Sequence, residues 1–443
     1  MQKTEAPAAV WPRPAVAWFA VGVLVLAFIF SIADRIIISL LVDPIKNDLN
    51  LTDSDMGLMM GPAFALFYAL MGLPIGRMVD KKSRTLIVSI GIALWSIMTA
   101  VCGLARNFWE LFLARVGVGV GEATLSPAAY SMIADMFPKD KLGRALGVYQ
   151  SGAFFGVGFA LMFGGLAIQF AKTAESVSLP LVGEMAPWQL AFVAVGLPGV
   201  LVAALMFAVK EPIRQGIASA QSDDITLGQA FRFATSRWRV FFAHYTGFAL
   251  LALPMTTLAT WVPAYLIRVV GLTPPETGFK LGLIVLLFSP IGVISGGIFA
   301  DRLFRKGQKD AALRVAVMAA VFMIPVSVLA TTINDPLITL LLLCPFAFGA
   351  SISMGLAPTS LQLVTPNRLR GQMGAAWMLF LNIITAFLGP WAVGVINDLA
   401  FGDPLAVGKS IALVNTLAVI VGGLILMITC KHFREAQDKQ DEV

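Results

Sequence analysis

Gly76-Arg77-Met78-Val79-Asp80-Lys81-Lys82-Ser83-Arg84 and Gly297-Ile298-Phe299-Ala300-Asp301-Arg302-Leu303-Phe304-Arg305 share one pattern, Gly-x-x-x-Asp-[Lys/Arg]-x-x-Arg, at an offset of 221 residues. Each copy closes a long apolar run. The same two runs open on Leu51-Thr52-x-x-Asp55-x-Gly57 and Leu272-Thr273-x-x-Glu276-x-Gly278, again 221 residues apart. This second pattern is a helix-start capping box, in which threonine caps the first turn and an acid three residues on reaches back. Two unrelated motifs in one register make the second and eighth helices structural equivalents. Pro127/Pro358 and Gly147/Gly374 repeat more loosely, at offsets of 231 and 227, as loop insertions would cause. The chain therefore reads as two homologous six-helix halves.

Composition places those helices in a membrane. Of 443 residues, 58% are hydrophobic and 13% charged, against about 25% charge in an ordinary soluble protein. Apolar runs separated by short polar breaks cover 16–41, 56–79, 85–104, 109–135, 143–171, 189–209, 238–268, 278–300, 312–332, 336–364, 371–399 and 408–431. Each suffices for the roughly 20 residues of one crossing. The expected fold is all-α: a polytopic membrane protein of twelve transmembrane helices. Its parts are an N-terminal bundle at 1–209, a cytoplasmic linker at 210–237 with a short surface helix near Leu227–Phe233, and a C-terminal bundle at 238–443.

An even number of crossings puts both termini on one side, and Lys/Arg marks the cytoplasmic side. The termini and even-numbered loops are basic, with Lys81, Lys82, Arg84, Lys139, Lys141, Arg144, Arg302, Arg305, Lys306, Lys309, Arg368 and Arg370. The odd loops hold only Lys46, Arg106, Lys172, Arg268, Lys280 and Lys409. Both termini are expected in the cytoplasm, with the chain in a cell inner membrane. The net charge of +6 follows from this bias and forms no concentrated basic face for nucleic acid.

Other classes are excluded by what the sequence lacks. Cys102, Cys344 and Cys430 have no metal or redox spacing and read as small buried hydrophobes. Gly402–Ser410 has one residue too many for a phosphate loop and falls in an outer loop. Two histidines supply no catalytic constellation. No enzyme, cofactor or metal is expected.

Ionisable residues inside membrane helices are costly and mark function. Four stand out: Asp34 and Arg35 in the first helix, Arg115 and Glu122 in the fourth. Glu122 lies two turns from Arg115, roughly 10 Å along the same face. The alternative role for these four is a structural ion pair between two helices. Asp80 and Asp301, among Arg84, Arg302 and Arg305, stand at cytoplasmic helix ends suited to a gating latch with the other half. His244 reads as a hydrogen-bonded packing residue.

The doubled Gly-x-x-x-Asp-[Lys/Arg]-x-x-Arg loop resembles the signature of the major facilitator superfamily, and the resemblance covers the whole chain. Asp34-Arg35, Arg115-Val-Gly-Val-Gly-Val-Gly-Glu122-Ala123 and Ile133-Ala134-Asp135-Met136-Phe137 resemble a bacterial member of its spinster family. That family is associated with export of lysophospholipids and sphingosine 1-phosphate. The resemblance implies a monomeric secondary transporter in membrane lipid that works by alternating access without ATP. It also implies a central cavity lined by helices one and four. Within that frame Asp34 and Glu122 are the expected proton-coupling sites. Arg35 and Arg115 would tune charge and receive the anionic head of a lysolipid-like or sphingoid-phosphate-like substrate. Gly76, Asp80, Arg84, Gly297, Asp301, Arg302 and Arg305 would form the latches. A proton-coupled carrier or exporter of another small organic solute (a drug, sugar or organic anion) is the competing reading. The superfamily's antiporter signature needs a Gly-Pro pair in helix five, and Gly152–Gly165 contains no proline.

Overall fold

The computed structural model describes residues 11–173, 178–179, 183–214, 227–366 and 369–441. Residues 215–226 of the linker, Arg368 and the Asp80 side chain lie outside the described residues. Among the described residues, eleven helices are long and apolar enough to cross a bilayer. A twelfth crossing, fourth in order, consists of two consecutive pieces, Phe108–Glu122 and Leu125–Met136. The architecture is thus twelve membrane helices. The linker carries a helix over Leu227–Ser236. The one strand pair described is a two-residue ladder, Ser178–Leu179 against Gly183–Glu184, between helices five and six.

Local chemistry accounts for the helix starts. Thr52 with Asp55, and Thr273 with Glu276, form the reciprocal capping boxes that open helices two and eight. Asn107 caps helix four, and Asp335 caps helix ten. Two helices change geometry beside their charged residues. Helix one is α-helical over Pro14–Ile36 and tightens to a 3₁₀ turn at Ile37–Leu40, just past Asp34-Arg35. Helix four breaks at Ala123–Thr124, just past Glu122, where the Thr124 hydroxyl donates to the Gly121 carbonyl at 2.8 Å. The last helix runs over Val407–Asp441, ten residues beyond the apolar limit at 431. Its extension is held by buried Phe433 and Ala436, and by ion pairs from Asp438 to Lys309 and Arg434 to Asp310.

The first six helices meet the last six along two seams. Helix two packs on helix eleven, and helix five on helix eight. Both seams depend on bare glycines near the end of the molecule opposite the termini. A Cβ at Gly57 would stand 2.7 Å from the Pro390 carbonyl oxygen, and one at Gly282 would stand 2.6 Å from that of Gly158. Gly394 lies as tightly against the Asp53 backbone, and Gly278 against Leu161. At the other, Lys/Arg-rich end, Gly76, Gly147, Gly297 and Gly374 meet no atom within 4 Å of where a Cβ would stand. Asp301, Arg302 and Arg305 are exposed there. The two sets of helices are therefore joined at the far end, while their motif surfaces at the basic end are uncovered.

Candidate transport site

The four charged residues of helices one and four form one cluster. The Arg35 guanidinium pairs with the Glu122 carboxylate, with Nε donating at 2.6 Å. The Ser31 hydroxyl, one turn earlier on helix one, donates to the same oxygen at 2.6 Å and accepts from Arg35 Nη2 at 3.4 Å. Arg115 binds main chain. Its Nη1 donates to the Asp34 carbonyl at 2.9 Å and its Nε to the Met59 carbonyl at 3.4 Å. It thereby ties helices one, two and four together at the bend of helix two. The two cations lie by one aromatic ring: Arg35 sits 4.3 Å and Arg115 6.0 Å from the centroid of Phe64. Tyr68 stacks on Phe64 and also flanks Arg35, at 5.2 Å. A ring face attracts a cation most where water is excluded.

Asp34 and Arg35 are adjacent, so their side chains leave the helix about 100° apart. The Asp34 side chain is buried, while Arg35 keeps 27% of its side-chain surface against 0% for Glu122. Arg35 is thus the cluster's most accessible charge. Asp34 Oδ1, Glu122 Oε1 and Arg115 Nη2 are all buried without a hydrogen-bond partner among the described residues. Orphaned polar atoms of this kind cost stability, about 1–3 kcal/mol each, and are retained where function needs them.

Ser31, Phe64 and Tyr68 escape sequence reading. Ser31 precedes Arg35 by four residues, so helical spacing alone could have flagged it. Nothing distinguishes Phe64 among 31 phenylalanines.

The motif loops differ from one another. Arg84 is fully buried and pairs within the first six helices and the linker start. It donates to Ser131 Oγ at 3.0 Å, to the Pro212 carbonyl at 2.6 Å and to Glu211 Oε1 at 2.7 Å, and it pairs with Asp135. Glu211 also accepts from the Thr85 amide at 2.9 Å and from Ser83 Oγ at 2.9 Å. Burial pushes the Glu211 carboxyl up, but these donors together hold it below the usual carboxylate range. In the second loop, Arg302 lies over Phe299 at 5.9 Å. His244 is buried, with Nε2 at 3.0 Å from the Ala357 carbonyl and 2.9 Å from Ser360 Oγ.

The far end carries a second charged cluster. Asp53 is fully buried. It receives Arg268 through two 2.9 Å bonds, Asn397 Nδ2 at 2.7 Å, and Lys46. Arg268 also donates to Asp43 at 2.7 Å. Asp398 accepts from the Ser54 amide and hydroxyl, each at 2.6 Å, so helix eleven caps the start of helix two. Arg268, Asn397 and Asp398 come from the last six helices, and their partners at Asp43, Asp53 and Ser54 from the first six. In the sequence Asp53 is an unmarked position inside the Thr52–Asp55 capping box.

Comparisons with known proteins agree with this architecture. A family model described as Major Facilitator Superfamily matches residues 23–390. An MFS-type efflux pump of Mycolicibacterium smegmatis is 29% identical over 95% of this chain and 94% of its own. A D-galactonate transporter of Escherichia coli is 26% identical over 90% of this chain and 94% of its own. The crystal structure of a bacterial homolog to the human lysosomal transporter spinster, inward-facing and unoccupied, superposes with a TM-score of 0.78. It is 24% identical and covers 96% of this chain and 98% of that one. The chain belongs to the Major Facilitator Superfamily, as a membrane-spanning secondary transporter and not an enzyme.

Proposed function

We propose that the chain is a proton-coupled, alternating-access carrier of a small organic anion, in which Arg35 receives the acid group and Glu122 and Asp34 carry the proton. One observation carries this reading. The accessible Arg35 is paired with a buried carboxylate, Glu122, that has no other cation bonded to it among the described residues. An incoming anion competes for the guanidinium. A carboxylate that loses its cation in a dry site favours the neutral form and binds a proton. Anion and proton therefore bind together, and the linkage is reciprocal. Arg suits a carboxylate or phosphate because its planar fork donates two parallel hydrogen bonds. Arg115 supports the site from behind, holding helices one and two.

The similarity to a D-galactonate transporter along nearly the whole chain supports a sugar acid as the substrate class. A second reading, a lysolipid-like or sphingoid-phosphate-like anion, is supported by a cavity of about 470 Å³ toward the basic end. Tyr130, Pro358, Leu361, Trp377 and Met378 give it an apolar wall for a tail. In either case the carrier functions as a monomer in the inner membrane. Both termini and the basic end face the cytoplasm, and residues 1–209 rock against 238–443. The arrangement here, joined at the far end, is then the inward-facing one.

Uptake by proteoliposomes tests the reading, with galactonate, glucarate and a lysophospholipid offered with and without a pH gradient. Glu122→Gln and Asp34→Asn should keep substrate binding and lose gradient dependence. Arg35→Gln should lose binding itself. Parent-like gradient dependence in both acid variants removes them as coupling sites and leaves a structural ion pair. Transport of a neutral sugar alone rejects the anion.

A further inference from the structure

The last helix presents an apolar stripe to lipid. Leu417, Leu424 and Ile428 along it are 52, 48 and 69% exposed. His432 and Glu435 follow Ile428 at the i+4 and i+7 positions, so they continue the same face. The end of such a stripe marks the level at which hydrocarbon gives way to headgroups. At that level the start of helix seven, Trp238–Thr260, stands against the last helix, leaving a groove of about 380 Å³.

The groove's charged lining is Arg237 and Arg239, with Glu435 as the opposing acid and His432 beside it. Arg237 lies over Phe233 at 4.9 Å, and its Nη1 is enclosed without a hydrogen-bond partner among the described residues. Arg239 lies over the ring of Trp238 at 5.8 Å. Trp238 itself is 58% exposed, as expected for an aromatic anchor in the headgroup layer. None of these residues belongs to the central cluster.

We infer that this groove binds the phosphate of an anionic membrane lipid, with Arg237 and Arg239 as its donors and the acyl chains lying along the apolar stripe of the last helix. A membrane source fits better than soluble phosphate, because the cationic lining sits directly where the lipid-facing stripe ends. The bound lipid would bridge the start of helix seven to the last helix, beside the linker that joins the two bundles.

Native mass spectrometry of the full chain from nanodiscs provides the test, with phosphatidic acid in a phosphatidylcholine background. The parent should retain phosphatidic acid in preference to phosphatidylcholine. Each basic residue near an anionic leaflet contributes roughly fivefold to binding, so Arg237→Gln/Arg239→Gln should lower retention by more than tenfold. Glu435→Gln, which keeps both arginines, should raise it. Equal retention by parent and double variant, or no rise in Glu435→Gln, overturns the proposal. Displacement of the lipid by millimolar inorganic phosphate overturns the membrane source and leaves a soluble phosphate site. If the double variant fails to melt at the parent's temperature in phosphatidylcholine alone, Glu435→Gln decides.

Discussion

At the far end, Arg268 reaches from helix seven into Asp53 and Asp43, and bare glycines bring backbones of the two helix sets into contact. At the basic end, Arg84 is just as buried, but every group it bonds lies in the first six helices or the linker start. Its counterparts Arg302 and Arg305 are exposed. One end of the molecule holds its charges across the seam, and the other holds them within one side. The duplicated motif that gives the fold away in the sequence therefore lies at the end carrying little of the joining energy in this conformation. A rocking carrier needs such an asymmetry, because whichever end is joined must be able to part when the other closes.

The largest test of that contrast is Arg268→Met, which nearly keeps volume and removes the ion pairs that Arg268 makes across the seam. Leaving a buried charge without its partner costs about 3–5 kcal/mol; Lys46 and Asn397 still hold Asp53 in the variant, so the loss falls below that range and short of the roughly 5.5 kcal/mol that inverts a 1:99 equilibrium. Spin labels at the exposed positions Trp109 and Leu337, one on each helix set near the far end, should gain a longer-distance population. An unchanged distance distribution would show that the ions do not hold the far end shut.

Gly394→Val is expected to act in the same direction and less strongly. The new side chain would meet the Asp53 backbone, which cannot rotate away as a side chain could. Overpacking of this kind costs about 1–3 kcal/mol. The same label pair checks it, and a parent-like distribution would mean that the seam has slack. Gly297→Val, by contrast, enters open space. Its melting temperature should match the parent's, within the roughly 0.5 kcal/mol usual for surface changes. Transport should nevertheless fall if the basic end must close in each cycle. Full transport activity would mean that this glycine stays uncovered throughout.

The sequence was read most easily where chemistry is local. Capping boxes at Thr52 and Thr273, and apolar runs of membrane length, need only their own neighbours. It was read least well where partners are distant. The break in helix four lies where Thr124 packs against Gly91, a contact that hydropathy cannot register. The last helix overshoots its apolar limit because Asp310 and Lys309 receive it. Asp53 and Arg268 are 215 residues apart and become a pair only once the two helix sets are assembled. In the candidate site the four charges were visible because charge is rare in membrane helices. Ser31 and Phe64, which position Arg35, carry residue types too common in such helices to stand out.

The smallest effect belongs to the basic end, where Glu211 joins the linker start to the first motif loop. Its carboxylate accepts from the Thr85 amide, Arg84 and Ser83. These bonds hold the group below its ordinary range despite partial burial. A carboxyl so lowered adds stability that is fully present above the unfolded value and is lost as pH falls through the folded one. Hydrogen bonds to a charged partner are worth about 1.5–3 kcal/mol where buried. A third of the Glu211 side chain is exposed to solvent, which reduces that figure toward the 0–1 kcal/mol of surface pairs. Glu211→Gln should thus lower the melting temperature slightly at pH 7, and the gap to the parent should close as the pH falls below the carboxylate range. Acidification titrates many groups at once, so the quantity to follow is the difference between the two proteins across the pH series. Arg84 keeps Asp135, Ser131 and the Pro212 carbonyl in the variant, so the loop stays anchored on its own side. The far-end label distances should not move, which separates a within-side clasp from the cross-seam one. A shift in those distances would mean that the linker start communicates with the far end and that the two ends are not held independently.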